Sequence, residues 1–269
     1  MRINSIQNQS YTNPKFGSFY REVTVGIDDL TQKVVHRNNT QILRPNAKYW
    51  SDLFYFLDNK YKDIPHVNVY FCSCSVGLEP YGFAISAITR HGPDRARKYL
   101  PLEAWDYDPY VIKIAKSGVT TLDSTEMINV DQASKYKSGM FFRKKELKYG
   151  KYKANEYLGG AITAYGGTYE VMPILRNNVN FGVGNILDNY TKINPNNSIV
   201  FADNFWPYLG EREDELAEKF RNQLRNNCTL VIGEFDHKKN LKGENTPILL
   251  SKAGFSACEV PNVYLSTVR

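Results

Sequence analysis

The sequence lacks any apolar run approaching the ~20 residues that cross a bilayer, so membrane insertion is not expected. Its opening, Met1-Arg2-Ile3-Asn4, leads into Gln, Asn and Ser with no apolar core, which argues against a secretory signal. Only 4 cysteines are present, Cys72, Cys74, Cys228 and Cys258. That is too few for a disulfide scaffold and suits a reduced, cytoplasmic setting. Cys72-x-Cys74 has no second ligand pair at suitable spacing, and His66, His91 and His237 are scattered, so a metal site is not expected. There is no GxxxxGK[ST] for a P-loop, no GxGxxG for a standard dinucleotide site, and no repeat at a fixed period. What remains is ordinary globular material: 269 residues, 42% hydrophobic and 23% charged, with 18 Gly and 12 Pro. This is enough for one large core or two small ones and unlike a disordered, collagen-like or coiled-coil chain. The net charge of +6 permits an acidic partner without requiring nucleic acid.

Residues 1–37 are rich in Asn, Gln, Ser and Thr and read as a weakly structured leader. After Arg44-Pro45-Asn46, residues Trp50, Leu53, Phe54 and Leu57 fall at i, i+3, i+4 and i+7, the stripe of an amphipathic helix. Val67 to Cys72 is β-branched and aromatic and runs into the small-residue turn Ser73 to Gly77. A helix starts at Pro80, with Tyr81, Ala84, Ile85 and Ile88 on one face. A second strand, Leu102 to Trp105, ends in Asp106, and Asp108-Pro109 caps a helix that stops at Gly118. Ser198 to Ala202 reads as a strand, Glu211 to Asn226 as a helix, and Cys228 to Gly233 as a strand. This alternation predicts an α/β fold with a doubly wound, mostly parallel sheet. The end, Ala257 to Leu265, reads as an edge strand pair or bent strand, because Pro261 cannot sit in a central ladder.

The interval 119–178 breaks the alternation. It holds Lys135, Lys137, Arg143, Lys144, Lys145, Lys148, Lys151 and Lys153 with Glu146 opposing them, and reads as an insertion or long loop. The basic run could dock an acidic helix or RNA, or could be a solvated lysine-rich loop.

In open parallel sheets, ligands bind beyond the carboxyl ends of the strands. The turn Ser73–Gly77 lets a ligand approach backbone at a helix start, and Asp106 stands where a ribose-binding carboxylate would. With one glycine, the turn alone fits a bare connection as well as a nucleotide site. Together with the strand-end acid it favours a nucleoside-containing cofactor.

At these residues the chain resembles the CheR-type S-adenosylmethionine (SAM)-dependent methyltransferases, which methylate glutamates of chemotaxis receptors. Ser75-Val76-Gly77-Leu78-Glu79-Pro80-Tyr81 is similar to the family's S-T-G-E-E-P-Y. Ala104 to Pro109, then Ala115 to Gly118, resemble A-T-D-I-D and A-R-S-G, and Asn185 to Asp188 resembles N-L-L-D. Val200 to Tyr208 resembles I-F-C-R-N-V-x-I-Y, and Asn38, Thr40 and Arg44 resemble N-x-T-x-F-F-R. The terminal Val263-Tyr264-Leu265 resembles the closing strand, and the blocks follow family order over residues 38–269. The resemblance implies a Rossmann-like class I methyltransferase domain over 38–269, with an antiparallel edge strand, and SAM as cofactor. It implies that Arg44 pairs with the methionine carboxylate, Glu79 meets the amino end, and Asp106 accepts from the ribose hydroxyls. Asn185 and the Ile186 backbone would read the adenine edge, with Asn38, Thr40, Asp203 and Asn204 completing the pocket. Taken singly, Arg44 also fits a surface cation at a helix start, Glu79 an ordinary first-turn acid, and Asp106 a turn residue.

The departures bear on the reaction. Val76 and Leu78 replace a Thr and a Glu, Gly233-Glu234-Phe235-Asp236 replaces G-H-S-E, and Asp203 replaces the Arg before Asn204. Residues 1–37 are expected to be too short for most of the helical domain that precedes the family's catalytic domain. A glutamate acceptor, with a pKa near ~4.3, is already ionised and needs no general base. An Asp at position 203 would repel it, whereas an amine or hydroxyl acceptor would tolerate Asp203, which could orient or deprotonate it. Tyr208 is available as a hydrogen-bond donor. The expectation is a SAM-dependent methyltransferase, by resemblance a protein-glutamate O-methyltransferase of CheR type with an altered acceptor site, with Asp203 and Tyr208 at the reacting end. A receptor-like acidic protein helix is the substrate implied by resemblance, and nucleic acid is not expected. SAM binding without turnover, or an amine, hydroxyl or RNA acceptor, stay as alternatives.

Overall fold

The computed structural model describes residues 23–27, 34–37, 41–43, 46–122, 124–145, 167–225, 227–239 and 243–266. In chain order the strands are β1 (Val23–Ile27), β2 (Val34–Arg37), β3 (Asn68–Cys72), β4 (Leu102–Asp106), β5 (Val119–Leu122) and β6 (Phe142–Lys144). They continue with β7 (Gly167–Val171), β8 (Val179–Val183), β9 (Ser198–Phe201), β10 (Thr229–Val231), β11 (Phe255–Ala257) and β12 (Val263–Ser266). The helices are α1 (Ala47–Lys60), α2 (Leu78–His91), α3 (Pro93–Ala96), α4 (Pro109–Ser117) and α5 (Ser124–Ala133). After them come α6 (Pro173–Arg176), α7 (Ile186–Asn189), α8 (Glu213–Gln223) and α9 (Thr246–Lys252).

Seven strands form one sheet in the order β11-β12-β10-β9-β3-β4-β8. β8, β4, β3, β9 and β10 pair in parallel. β12 runs antiparallel to both β10 and β11, so the reversed strand lies one place in from the edge. Pro261 sits in the turn between β11 and β12, outside any ladder. The sheet is buried on both faces, as helices on either side of a parallel sheet require. In β3, Val69 and Phe71 join one apolar cluster while Tyr70 and Cys72 join the other. β9 repeats the alternation, with Ile199 and Phe201 on one side and Val200 on the other.

The first face is covered by α1 and α2. Asn46 caps α1 by accepting the Tyr49 N–H at 3.0 Å, and Trp50, Leu53, Phe54 and Leu57 are all buried, as their spacing predicts. Their anchor is aromatic: Phe71 stacks on Phe201 at 4.3 Å, and Trp50 stacks on Phe201 at 5.9 Å. The second face carries α8, whose Leu216, Ala217 and Phe220 are buried, and α9 with Leu249 and Leu250. The helix expected over 211–226 is regular over Glu213–Gln223, after a 3-10 turn at Gly210–Arg212.

Two regions differ from the sequence expectation. Within residues 1–37, expected as a weakly structured leader, β1 and β2 pair as an antiparallel hairpin from Val-rich segments. The interval 119–178, expected as an insertion or long loop, contains α5 and an antiparallel sheet of order β5-β7-β6. There Arg143 lies opposite Glu170 and pairs with it, a partner far away in sequence. Lys148, Lys151, Lys153 and Glu146 lie outside the described residues.

Candidate functional site

The turn after β3 holds three consecutive alternate residues in left-handed backbone: Ser73 (φ 67), Ser75 (φ 49) and Gly77 (φ 88). Such conformations persist at non-glycine residues only where the surroundings hold them. Here Cys74 donates its N–H to the Trp105 carbonyl of β4 at 2.8 Å, and Gly77 donates to Cys74 O at 2.9 Å. Gly77 also cannot carry a side chain, because a Cβ would lie 2.6 Å from Cζ of Phe181 in β8. Phe181 is thus a determinant of the turn that no local sequence signal announces.

Asp106 closes β4 and is 5% exposed. Its Oδ2 accepts the Ser75 N–H at 2.8 Å and its Oδ1 the Asp108 N–H at 3.0 Å. Burial raises its pKa above the usual carboxylate value, and the backbone donors only partly offset that. The Tyr107 backbone is a third donor, so of a carboxylate's about four lone-pair positions one remains for a hydroxyl. Gly184 donates its N–H to the Asp106 carbonyl at 2.8 Å, bringing the end of β8 alongside. Asn185 follows and caps α7, its Oδ1 accepting the Leu187 N–H at 3.0 Å. Its side-chain oxygen is spent on the cap, so its amide N–H group is what it offers a ligand. Ile186 beside it is buried.

Asn38, Thr40 and Arg44 lie outside the described residues, but the chain between them is anchored. Gln41 donates its N–H to Glu79 Oε1 at 3.3 Å, and Ile42 donates to Glu126 Oε1 at 3.4 Å. Leu43 has φ 56 and lies so close to α2 that a Cβ on Gly82 would meet its nitrogen at 2.9 Å. Glu126, buried on α5, is a residue that sequence reasoning missed. Glu79, expected to face a cationic amino group, already accepts the Gln41 N–H.

Across the sheet from Asp106, the loop after β9 carries Asp203, Asn204 and Tyr208. Asn204 is left-handed (φ 61); its N–H donates to Asp236 Oδ2 at 2.7 Å and its Oδ1 accepts the Phe235 N–H at 3.2 Å. Tyr208 is 63% exposed and stacks on Phe235 at 5.7 Å, with Lys238 over the Phe235 ring at 3.9 Å. Tyr49 of α1 completes this end, its hydroxyl donating to Pro261 O at 3.3 Å. Burial raises the Tyr49 pKa, and the charges of Asp203, Cys258 and Glu234 raise it further. Asp203 and Glu234 therefore act on one phenol, a convergence of elements distant in sequence. Cys72 and Cys74 are buried in opposite clusters, and burial pushes both thiols up, which makes them packing residues.

The donor set fits a nucleoside cofactor at one end: a glycine-requiring turn, a pre-oriented carboxylate for a hydroxyl, and an amide one strand over. Glu79 follows the turn in the first turn of α2, and Asn204 lies after β9, the strand beside β3.

Residues 38–248 match the family described as CheR methyltransferase, SAM binding domain. Comparison with curated proteins gives no match. Among solved structures, the chain is similar to magnesium protoporphyrin IX methyltransferase (ChlM) from Synechocystis PCC 6803 with bound SAH. The identity is 10%, over 81% of this chain and 80% of that one, with a TM-score of 0.38. It is also similar to PKMT2 from Rickettsia typhi in complex with AdoHcy, at 12% identity and a TM-score of 0.33. That match covers 62% of this chain and 21% of the Rickettsia one, so the chain spans about a fifth of that protein.

Proposed function

The chain belongs to the CheR family of SAM-dependent methyltransferases, and from that premise we propose that it methylates an amine or hydroxyl group on a protein, in place of a glutamate carboxylate. Bound SAM supplies an electrophilic methyl group on a sulfonium. Asp106 would hold the ribose, Asn185 and the Ile186 backbone would meet the adenine edge, and Glu79 and Asn204 would face the amino-acid end. The resemblance assigns Asn38, Thr40 and Arg44 to that end as well.

What supports the acceptor reading is Asp203 in the loop after β9, where the family carries an Arg, with a second carboxylate, Glu234, in the turn after the neighbouring β10. A carboxylate acceptor ~4 Å from one of them would be repelled by about 1–4 kcal/mol at surface-like dielectric. An N–H or O–H acceptor reverses the sign of that interaction, because Asp203 accepts its hydrogen bond and turns the lone pair toward the methyl donor. Tyr208, exposed at the rim, donates to the incoming group. Alignment supplies most of the acceleration, since displacement at a sulfonium needs no separate leaving-group acid.

The test is transfer of labelled methyl from SAM to peptides that each carry one Glu, Lys, Arg, Ser or Tyr. Label that survives mild base supports the proposal, and label released as methanol is an ester and refutes it. Asp203→Arg should shift labelling toward esters. Binding of S-adenosylhomocysteine (SAH) with no labelled peptide would favour SAM binding without turnover, and no SAH binding at millimolar ligand would remove the cofactor reading altogether.

A further inference from the structure

Asp236 serves neither the cofactor contacts nor the acceptor contacts above, yet it is fully buried, at 0% exposure. Its Oδ2 accepts the N–H groups of Gly233 at 2.8 Å and Asn204 at 2.7 Å, and its Oδ1 accepts that of Trp206 at 3.2 Å. Two of these donors belong to the loop after β9, and the acceptor belongs to the turn after β10. The connection is returned when Phe235 donates its N–H to Asn204 Oδ1 at 3.2 Å. Gly233 makes room for this exchange: a Cβ there would lie 2.1 Å from Asn204 Oδ1. A buried carboxylate is costly unless its lone pairs are matched, and here three backbone N–H groups offset part of that cost.

The strand order gives the clasp a direction. Asp106 and Asn185 stand at the ends of β4 and β8, on one side of the β3 turn, and Asn204 stands after β9, on the other. If the nucleoside takes the first side, the amino-acid end of the cofactor extends toward the second. We propose that Asp236 is a positioning residue: its carboxylate clasps the β9 loop to the β10 turn and thereby sets where Asn204 meets the amino-acid end of the cofactor. This rests on the reading of Asn204 as a cofactor contact. The clasp also fixes the register in which Tyr208 stacks on Phe235.

The test compares two ligands on the full chain: SAH, and 5′-methylthioadenosine, which has the nucleoside but no amino-acid group. Asp236→Asn keeps the volume but turns an N–H₂ toward donors. It should weaken SAH ~10-fold or more, the order expected when a charge-assisted hydrogen bond is lost, and leave methylthioadenosine within ~2-fold. Amide hydrogen exchange at Asn204 and Trp206 should accelerate while β3 and β4 stay slow. Gly233→Ala attacks the clasp from the opposite side and should give the same split, which covers the case in which Asp236→Asn does not fold. The two changes combined should cost little more than either alone. Equal weakening of both ligands, or unchanged SAH affinity with slow exchange at Asn204 and Trp206, would overturn the proposal. If the wild type binds no SAH, the cofactor reading falls, and exchange at Asn204 and Trp206 still decides whether the clasp exists.

Discussion

Asp106 and Asp236 are both aspartates at the carboxyl end of one sheet, both buried, and both held by backbone N–H groups. Asp106 takes donors from its own strand end and the neighbouring turn, and with 5% exposure keeps an opening toward a ligand. Asp236 takes its donors from two different loops and is sealed, at 0% exposure. One geometry presents a carboxylate to a guest, and the other uses it to fasten two loops. The contrast extends to the regions around them. The β3–β4–β8 side departs from the family's pattern at Val76 and Leu78 but keeps Glu79, Asp106 and Asn185, whereas the β9–β10 side has Asp203 in place of an Arg and a turn built around Asp236. On the proposed reading, the nucleoside is held on the β4–β8 side of β3, and the β9–β10 side meets both the amino-acid end of the cofactor and the acceptor.

The strongest way to break the comparison is pH. Burial raises the Asp236 pKa to about 7. Because the folded value lies above the unfolded one, the protonated acid favours the fold. That contribution is complete below about pH 4 and is lost as pH rises toward 7, by about 4 kcal/mol. Urea unfolding of wild type and Asp236→Asn across this window should show the difference closing on the variant's favour as pH rises. Asp106 is shifted in the same direction and should account for part of the slope that remains in the variant. On the nucleoside side, Gly77→Ala meets both a left-handed backbone and Phe181, and should cost about 2–3 kcal/mol in a thermal melt. Adding Phe181→Leu should recover the steric share and leave the backbone share. Asp106→Asn should weaken SAH ~10-fold or more by calorimetry. Unlike Asp236→Asn, it should weaken methylthioadenosine as much, and equal behaviour of the two variants would erase the distinction. The smallest effect is expected at Asn46→Ala, where loss of the α1 cap costs about 1 kcal/mol of stability.

The parts legible in sequence are those written in contiguous residues. The α1 stripe, β3 with its turn, Asp108 as a cap and Gly118 as a stop all follow local rules, and Gly118 does close α4 with φ 66. β8 escapes those rules because its burial is partial and its sequence, Val-Asn-Phe-Gly-Val, includes a glycine. The short α9 and the β5–β7–β6 sheet are likewise set by partners far along the chain. The same limit holds at the site. Asp106 follows a predicted strand and is visible, but Glu126 reaches Ile42 over 84 positions and Phe181 reaches Gly77 over the sheet. Asp236 has chemistry that reads as an ordinary turn residue until the β9 loop is laid against it.

β3 is the seam of the large sheet, and its two sides are filled at very different times during synthesis. β4 follows it after about thirty residues, but β9 arrives only once residues 198–201 have left the ribosome. Until then the edge of β3 that pairs with β9 has an unfilled ladder, and Phe71 has not met Phe201. An unpaired apolar edge of this kind templates association between nascent chains. The residues proposed for the nucleoside side, Asp106, Asn185 and Ile186, all precede β9 in the chain, so they are synthesised before the strand that closes the second edge of β3.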